Sequence, residues 1–215
     1  MISAMKNEGT VPITVHVAYG TRGELRELLK RERKRRALLS ADRQWSTQRL
    51  SRRFAADVRA AWRQRLAVMR NEGELLDTLD ALAAFGVRQE LKERGWDRPW
   101  PPYPAKARNA GRWPGAKQGG YPETLSFRLP ASLENQARAA CWHTSAPAIR
   151  ELHDWHDRQR LILPKRRSSP AGLDDAFQIY GRLAAKVTTT GTIWRAGVRR
   201  GMETAARLCA APKPV

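Results

Sequence analysis

The sequence predicts a mainly α protein with a few short strands, built as a helical bundle followed by a strand-helix-helix and helix-turn-helix-like unit. Two short stretches alternate apolar and polar residues, which is typical of strands with one buried face. Several longer stretches repeat apolar residues every three or four positions, as amphipathic helices do. A Pro- and Gly-rich stretch at 96–122 lies between them. We therefore expect units at 1–95 and 123–210, joined by this linker, and a tail at 211–215.

The N-terminal unit begins with a predicted strand and a predicted helix. Residues 11–19 alternate apolar and polar side chains, and Pro12 suits a strand end or edge. Thr21 and Glu24 have the spacing of a capping box, which predicts that a helix begins there. This helix runs into the basic stretch 30–36.

Residues 46–70 predict a helix with two distinct faces. On a helical wheel of about 100° per residue, one side is apolar and is expected to face a core: Leu50, Phe54, Val58, Ala61, Trp62, Leu66 and Met69. A separate arc about 120° wide is basic, and it consists of Arg49, Arg52, Arg53, Arg59, Arg63 and Arg70. This separation predicts that the basic face binds something anionic. A third, more acidic helix is expected to end near residue 94.

The linker combines Pro and Gly with aromatic and basic residues. Its aromatic residues are Trp96, Trp100, Tyr103 and Trp113, and its bases include Arg98, Lys106, Arg108, Arg112 and Lys117. Aromatic rings beside bases can stack on unpaired nucleobases while the bases pair with phosphates. Alternatively, the rings pin the linker onto a neighbouring domain, because exposed Trp is uncommon without a packing partner.

The C-terminal unit is expected to contain one strand and four helices. Residues 124–129 alternate as a strand, and Pro130 ends it before a helix over about 131–142. The stretch 144–147 predicts a break, with Pro147 in the first turn of the next helix, which ends near residue 160. Two more helices are expected at 173–187 and 192–208.

Charge is the feature of the composition that bears most on function. The chain has 215 residues, 40 Lys and Arg against 21 Asp and Glu, and a formal net charge of +19. Such an excess repels itself in a compact fold unless a polyanion or solvent screens it. Each base that neutralises a phosphate also releases a condensed counterion, so nucleic acid is the expected partner.

Membrane and secretory signals are not expected in this sequence. No apolar run approaches the ~20 residues of a membrane span, and residues 1–10 are too polar for a signal peptide. Two cysteines far apart predict no disulfide framework. We therefore expect a cytoplasmic protein, nucleoid-associated if bacterial, with no membrane partner.

The segment from Thr124 to Leu152 resembles the ribbon-helix-helix DNA-binding family in its alternating strand and in the Arg-Leu-Pro transition at 128–130. The resemblance implies a strand that pairs with its twin in a homodimer and lies in the major groove of DNA. It implies that Thr124, Ser126 and Arg128 face DNA, and that Arg150 lies near the start of a second helix whose amides hold a phosphate. On the residues alone, an ordinary strand-helix-helix core element explains the pattern equally well.

Two further basic groups are candidates for nucleic-acid binding. The helices at 173–187 and 192–208 have the short Gly-containing turn of a helix-turn-helix, and the second carries Arg195, Arg199 and Arg200. A loop ending at Pro170 carries Lys165, Arg166 and Arg167.

No metal, cofactor or catalytic site is expected. Cys141, His143, His153 and His156 lie within 16 residues, but their spacing matches no familiar zinc finger. No Gly-rich phosphate loop, serine nucleophile elbow or paired-carboxylate site is visible.

The sequence therefore predicts a non-enzymatic nucleic-acid-binding protein, foremost a regulator or architectural protein of double-stranded DNA. An RNA-binding structural subunit of a ribonucleoprotein complex is an alternative, since the arginine-rich helix and the linker fit RNA as well. A nuclease or transposition-related enzyme with a scattered acidic site is a second alternative. The expected assembly is a homodimer or a subunit of a nucleoprotein complex.

Overall fold

The computed structural model describes residues 9–48, 50–104, 120–162 and 170–210, except for the side chains of 159–162 and 170–177. In chain order the elements are β1 (Thr10–Val17), α1 (Thr21–Ser40), a short 3₁₀ helix (Arg43–Trp45), α2 (Arg52–Glu72), α3 (Leu79–Glu93), β2 (Glu123–Pro130), α4 (Ala131–Ile162), α5 (Pro170–Ala185) and α6 (Thr190–Ala210). The chain is mainly α with short strands, so the predicted fold class is confirmed.

The two strands form one antiparallel ribbon. Ile13 lies opposite Phe127 and Pro12 lies opposite Arg128. Alternate residues of both strands are buried, so one face of the ribbon belongs to the core and the other is exposed. The backbone N–H of Arg128 points away from β1 and donates to Asp80 Oδ1 at 2.8 Å. The pair formed by Pro12 and Arg128 therefore exchanges no backbone hydrogen bond, which is why proline is tolerated there.

The ribbon also fixes the start of α1. The Glu123 carboxylate accepts hydrogen bonds from the backbone N–H groups of Gly20, at 3.0 Å, and Arg22, at 2.8 Å. These bonds lower the pKa of Glu123, the bond from Arg22 contributing most. Gly20 has a φ of 88°, a conformation that glycine adopts readily. A carboxylate from the second strand thus caps the helix that follows the first.

Helices α3 and α6 are in close backbone contact. A β-carbon added to Gly86 would overlap the backbone of Gly197, and one added to Gly201 would overlap Leu82. The glycines therefore let the two helix backbones approach to a distance that side chains would prevent. Glu90 of α3 and Arg200 of α6 form an ion pair across the same contact.

One hydrophobic core contains residues from both sides of the predicted linker. Ile13, Leu82, Phe127, Ala137 and Trp194 all belong to it, so β1, α3, β2, α4 and α6 share a single interior. The halves expected as separate units at 1–95 and 123–210 therefore share one interior among the described residues. Strand β1 of one half pairs with β2 of the other, and α6 packs on α3.

The predicted helix break at 144–147 is wrong, because α4 runs without interruption from Ala131 to Ile162 with Pro147 inside it. The Thr144 hydroxyl donates to the Ala140 carbonyl at 2.7 Å, as hydroxyls inside helices do. The Ser145 hydroxyl, fully buried, donates to the Thr188 carbonyl at 3.2 Å and accepts from the Thr188 N–H at 3.0 Å. The Ser145 hydroxyl, which resembles part of a helix start in the sequence, therefore holds the α5–α6 connection instead.

Candidate nucleic-acid interface

Helix α2 is fixed to the body of the protein by its C-terminal half. Its Leu66 and Met69 are buried against Leu75, and the rings of Trp62 and Trp45 are 5.0 Å apart. It ends at Gly73, whose φ is 77°. The helix begins one residue after Ser51, whose hydroxyl accepts a hydrogen bond from Phe54 N at 3.5 Å. The capping serine explains why the helix starts at residue 52 rather than 46.

The N-terminal half of α2 is largely exposed. In its first three turns Ala55 is buried and Val58 half-buried. Phe54, predicted to face the core, is 64% exposed, and Leu50 is 42% exposed. The predicted core side is therefore wrong at these positions. The apolar face is longer than the surface of the body available to cover it.

Four arginines of the predicted arc are exposed on this helix. Arg52, Arg53, Arg59 and Arg63 are exposed, and no ion pair joins any of them to another residue in the described ranges. Arg52, Arg59 and Arg63 lie within about 40° of one another around the helix axis. Arg49 lies outside the described residues. The helix thus presents a row of cations whose charge the described protein does not neutralise.

Arg70, the last arginine of the arc, has a structural role instead. It donates to both carboxylate oxygens of the buried Asp77, and Arg36 donates to the same carboxylate at 2.9 Å. Burial alone would raise the pKa of Asp77, but the hydrogen bonds and charges of Arg70 and Arg36 lower it below its ordinary value. Arg70 therefore differs from the other described arginines of the arc, because its charge is already paired within the protein.

Helix α1 carries bases that form ion pairs with described residues and bases that do not. Its buried Glu32 accepts from Leu76 N at 2.8 Å and pairs with Arg35 at 3.5 Å. The exposed bases that form no ion pair with another described residue are Arg22, Arg26, Arg31, Arg33 and Lys34. The basic run at 30–36 signalled this surface, although none of its members was predicted as a site residue.

The exposed face of the ribbon carries the polar residues predicted from β2. Thr124, Ser126 and Arg128 lie on it, each bonded to a residue of β1. Thr124 Oγ1 is 3.3 Å from His16 Nδ1, Ser126 Oγ is 3.3 Å from Thr14 Oγ1, and Arg128 Nε donates to Thr10 Oγ1 at 3.0 Å. Strand β2 pairs with β1 of the same chain, whereas the resemblance implies pairing with the strand of a second copy.

The remaining candidates of the C-terminal half have different environments. Arg200 pairs with Glu90 and with Glu93, and Arg195 lies 4.3 Å above the ring of Tyr121. Arg199 is exposed and 3.8 Å from Glu203. The buried face of α6 packs on α3, so α6 is a core helix with one exposed edge rather than a freely projecting recognition helix.

Two other candidates complete the predicted set. Arg150 is exposed in the middle of α4, far from any helix start, so the expected phosphate site at a second helix is not formed there. Lys165, Arg166 and Arg167 lie outside the described residues.

The aromatic residues of the linker pack where the structure describes them. Trp96 packs on the core, and Trp100 Nε1 donates to the Trp96 carbonyl at 3.1 Å. The Trp100 ring is stacked on His143, with 6.1 Å between ring centroids, and Arg98 lies 4.5 Å from its centre. These rings therefore pack on the protein, as in the alternative in which the aromatic residues pin the linker to a neighbouring domain. Trp113 and its neighbouring bases lie outside the described residues.

The cysteine and histidine group shows no metal-binding geometry. Within the described ranges, no three His, Cys, Asp or Glu side chains converge on one point. Burial raises the pKa of the Cys141 thiol to about 12, so it stays protonated at neutral pH. Among the described helices, none has the length and apolar character needed to cross a bilayer.

Comparison with protein-family models, with curated proteins and with solved structures produced no match.

Proposed function

We propose that this protein binds nucleic acid without catalysing a reaction, and that its principal ligand is double-stranded DNA, on which it acts as a regulator or architectural protein. The observation that carries the proposal is the row formed by Arg52, Arg59 and Arg63, which are exposed on α2 and have no acidic partner among the described residues. Elsewhere the protein pairs arginines with buried carboxylates, as at Asp77 and Glu90. Bases left unpaired in a chain of charge +19 raise its self-repulsion, which a polyphosphate would relieve.

The ribbon supports DNA in particular. A two-stranded ribbon fits the major groove, and the exposed hydroxyls of Thr124 and Ser126 and the guanidinium of Arg128 can donate to base edges there. RNA is the alternative ligand, because its phosphates attract the same arginines. Its deep and narrow major groove would exclude the ribbon, so RNA would bind without it. The two ligands therefore differ in which surface they use.

Binding of the purified protein to fluorescent duplexes of about 25 base pairs, DNA and RNA, tests the proposal as salt is varied. We expect tighter binding to DNA, and a logarithmic affinity that falls linearly with the logarithm of salt concentration. Replacing Arg52, Arg59 and Arg63 together with Gln should reduce that slope by about 2.7, because each neutralised DNA phosphate contributes about 0.9.

The matched control is the triple replacement of Arg158, Arg182 and Arg207 with Gln, which removes the same charge from other exposed positions. It should leave the slope nearly unchanged. Equal loss in both triple variants would show that net charge, and not α2, drives binding. Absence of binding at low salt would remove the proposal, tighter binding to duplex RNA would favour the ribonucleoprotein alternative, and metal-dependent cleavage of the duplex would favour the nuclease.

A further inference from the structure

Helix α2 has an exposed apolar stripe opposite its arginine row. Phe54, Ala61 and Val68 are spaced seven residues apart, so they lie within about 40° of one another on the helix. Phe54 is 64% exposed, Val68 is 39% exposed and Ala61 is exposed. Arg59 and Arg63 lie on the opposite side by the same geometry. The stripe is therefore separate from the surface proposed to bind nucleic acid.

Two opposite charges lie on either side of this stripe. Asp57 is exposed and has no ion-pair partner within the described part of the chain. Arg65 is 46% exposed in its side chain and bonds one oxygen of Glu74 at 3.1 Å. A guanidinium has five N–H donors, so Arg65 can hold a second carboxylate without releasing Glu74. Asp57 is also the only acidic residue in the first four turns of α2, all of them described, which makes its position beside the stripe notable.

These residues are arranged symmetrically about Ala61. Phe54 and Val68 are each seven positions from it, and Asp57 and Arg65 are each four positions from it. In an antiparallel pair of such helices centred on Ala61, Phe54 of one copy is level with Val68 of the other, and Asp57 is level with Arg65. Alanine at the centre allows the two helices to approach closely. The stripe is thus complementary to itself in both apolar contact and charge.

We propose that α2 pairs in antiparallel fashion with the α2 of a second copy of this chain, forming a two-fold symmetric dimer. Asp57 of each copy then faces Arg65 of the other, so the dimer contains two such contacts related by the two-fold symmetry. The arginine rows lie on the outer sides of the pair and stay accessible. The inference does not rest on the proposed function, since it uses the opposite side of the helix.

The size of the stripe and the net charge set the strength of this dimer. Fourteen residues of helix span about 21 Å, which is too short to bury the ~1,200 Å² of a standard interface. Two copies of charge +19 also repel, so association requires salt that screens charges more than about 10 Å apart. We therefore expect a weak dimer, with a dissociation constant in the range of about 1–100 µM.

Sedimentation of the full chain, treated with nuclease, at about 0.3 M salt and from about 1 to 500 µM protein measures this association. The mass should rise from 24.4 kDa toward twice that value. Phe54→Ala and Ala61→Arg should each raise the dissociation constant at least about tenfold. Tyr19→Ala, which truncates an aromatic residue that is 87% exposed elsewhere, should leave it unchanged.

Charge exchange makes the test specific. Asp57→Arg alone and Arg65→Asp alone each place like charges together, and each should abolish dimerisation. Mixing these two variants should restore it, because both symmetric contacts then join opposite charges. Asp154→Arg, an equal change of charge on α4, is the control and should not affect the mass.

A chain that remains monomeric at all these concentrations would overturn the proposal. So would a dimer that Phe54→Ala and Ala61→Arg leave intact, or a mixture of the two charge variants that stays monomeric while circular dichroism shows both folded. Restoration on mixing cannot arise from misfolding, since each variant alone would carry its own defect into the mixture.

Discussion

Arg70 and Asp77 are joined by two parallel hydrogen bonds, of 2.8 Å from Nε to Oδ1 and 2.9 Å from Nη2 to Oδ2. Arg36 of α1 donates to the same carboxylate, and Asp77 itself is fully buried before α3. One carboxylate therefore holds two arginine-rich helices in place. Part of the basic character of this protein therefore serves its internal structure.

Replacing Asp77 with Ala should reduce the free energy of unfolding by about 2–4 kcal/mol, because two partly buried guanidinium groups lose their counter-charge. Urea denaturation followed by circular dichroism measures the change. Asp154→Ala, at an exposed position on α4, is the control and should change it by less than about 0.5 kcal/mol. Equal stability of the two variants would show that solvent satisfies Arg36 and Arg70 as well as Asp77 does.

The stability of the fold should decline in acid. The pKa values of Asp77 and Glu90 lie below their ordinary values of 3.8 and 4.5, because arginine hydrogen bonds and charges outweigh the opposing effect of burial. The unfolded chain then takes up protons more readily than the folded one. The stabilisation is complete above about pH 5 and is lost as the pH falls through the lowered pKa values. Urea titrations between about pH 7 and pH 2 measure it, and Asp77→Asn should flatten the acid slope. An unchanged slope in that variant would contradict this assignment.

The contact between α3 and α6 should not tolerate a side chain at Gly86. Gly86→Ala should lower the free energy of unfolding by about 3 kcal/mol or more, since the added methyl group would meet the backbone of α6 rather than a movable side chain. Gly181→Ala is the matched control in α5, where an added β-carbon meets nothing within 4 Å. That variant should gain up to about 1 kcal/mol, because alanine favours helix. Thermal unfolding compares the two, and similar melting temperatures would mean that the helices can separate at little cost.

The two fragments produced by cleavage between residues 104 and 120 should remain associated under native conditions. The β1–β2 ladder and the α3–α6 contact join the two fragments through a shared core. Insertion of a specific protease sequence there, followed by size-exclusion chromatography before and after cleavage, tests this expectation. Fragments that elute separately and remain folded would restore the two-unit organisation.

If the ribbon reads DNA, Arg128→Ala should weaken the binding free energy by roughly 1–3 kcal/mol on a selected site and by much less on random duplex. The reason is that Arg can donate two hydrogen bonds to a guanine edge. Site selection from a random library, followed by competition binding, measures the difference. Arg158→Ala serves as the control for loss of one exposed positive charge. An equal loss on selected and random DNA would show that Arg128 contacts phosphate only.

The sequence was sufficient for properties that local periodicity determines. The exposure of Thr124, Ser126 and Arg128 followed from alternation along one strand, and that of Arg59 from its place on one helix. Properties that depend on distant partners could not be obtained in this way. On a helical wheel Arg70 is indistinguishable from Arg52, and only the position of Asp77 separates their roles.

Two features depend on distant contacts. The alternation at 123–130 predicts a strand but does not identify its partner, which in the structure is β1. Likewise, Thr144, Ser145 and Pro147 are typical of a helix start, but they lie inside one long helix, where Ser145 bonds to the distant Thr188. Both outcomes are decided by contacts that no local pattern encodes.

The pairing of two strands whose central residues, Thr14 and Ser126, are 112 positions apart has a consequence for biosynthesis. At about 5–20 residues per second, a ribosome needs about 6–20 s to make the second strand after the first has been made. Throughout that interval Ile13, Val15 and Val17 have no sheet partner, and α3 still awaits α6. The nascent chain therefore carries an unpaired apolar strand beside its basic helices until late in translation. Its yield in a cell should depend on factors that hold nascent chains apart during those seconds.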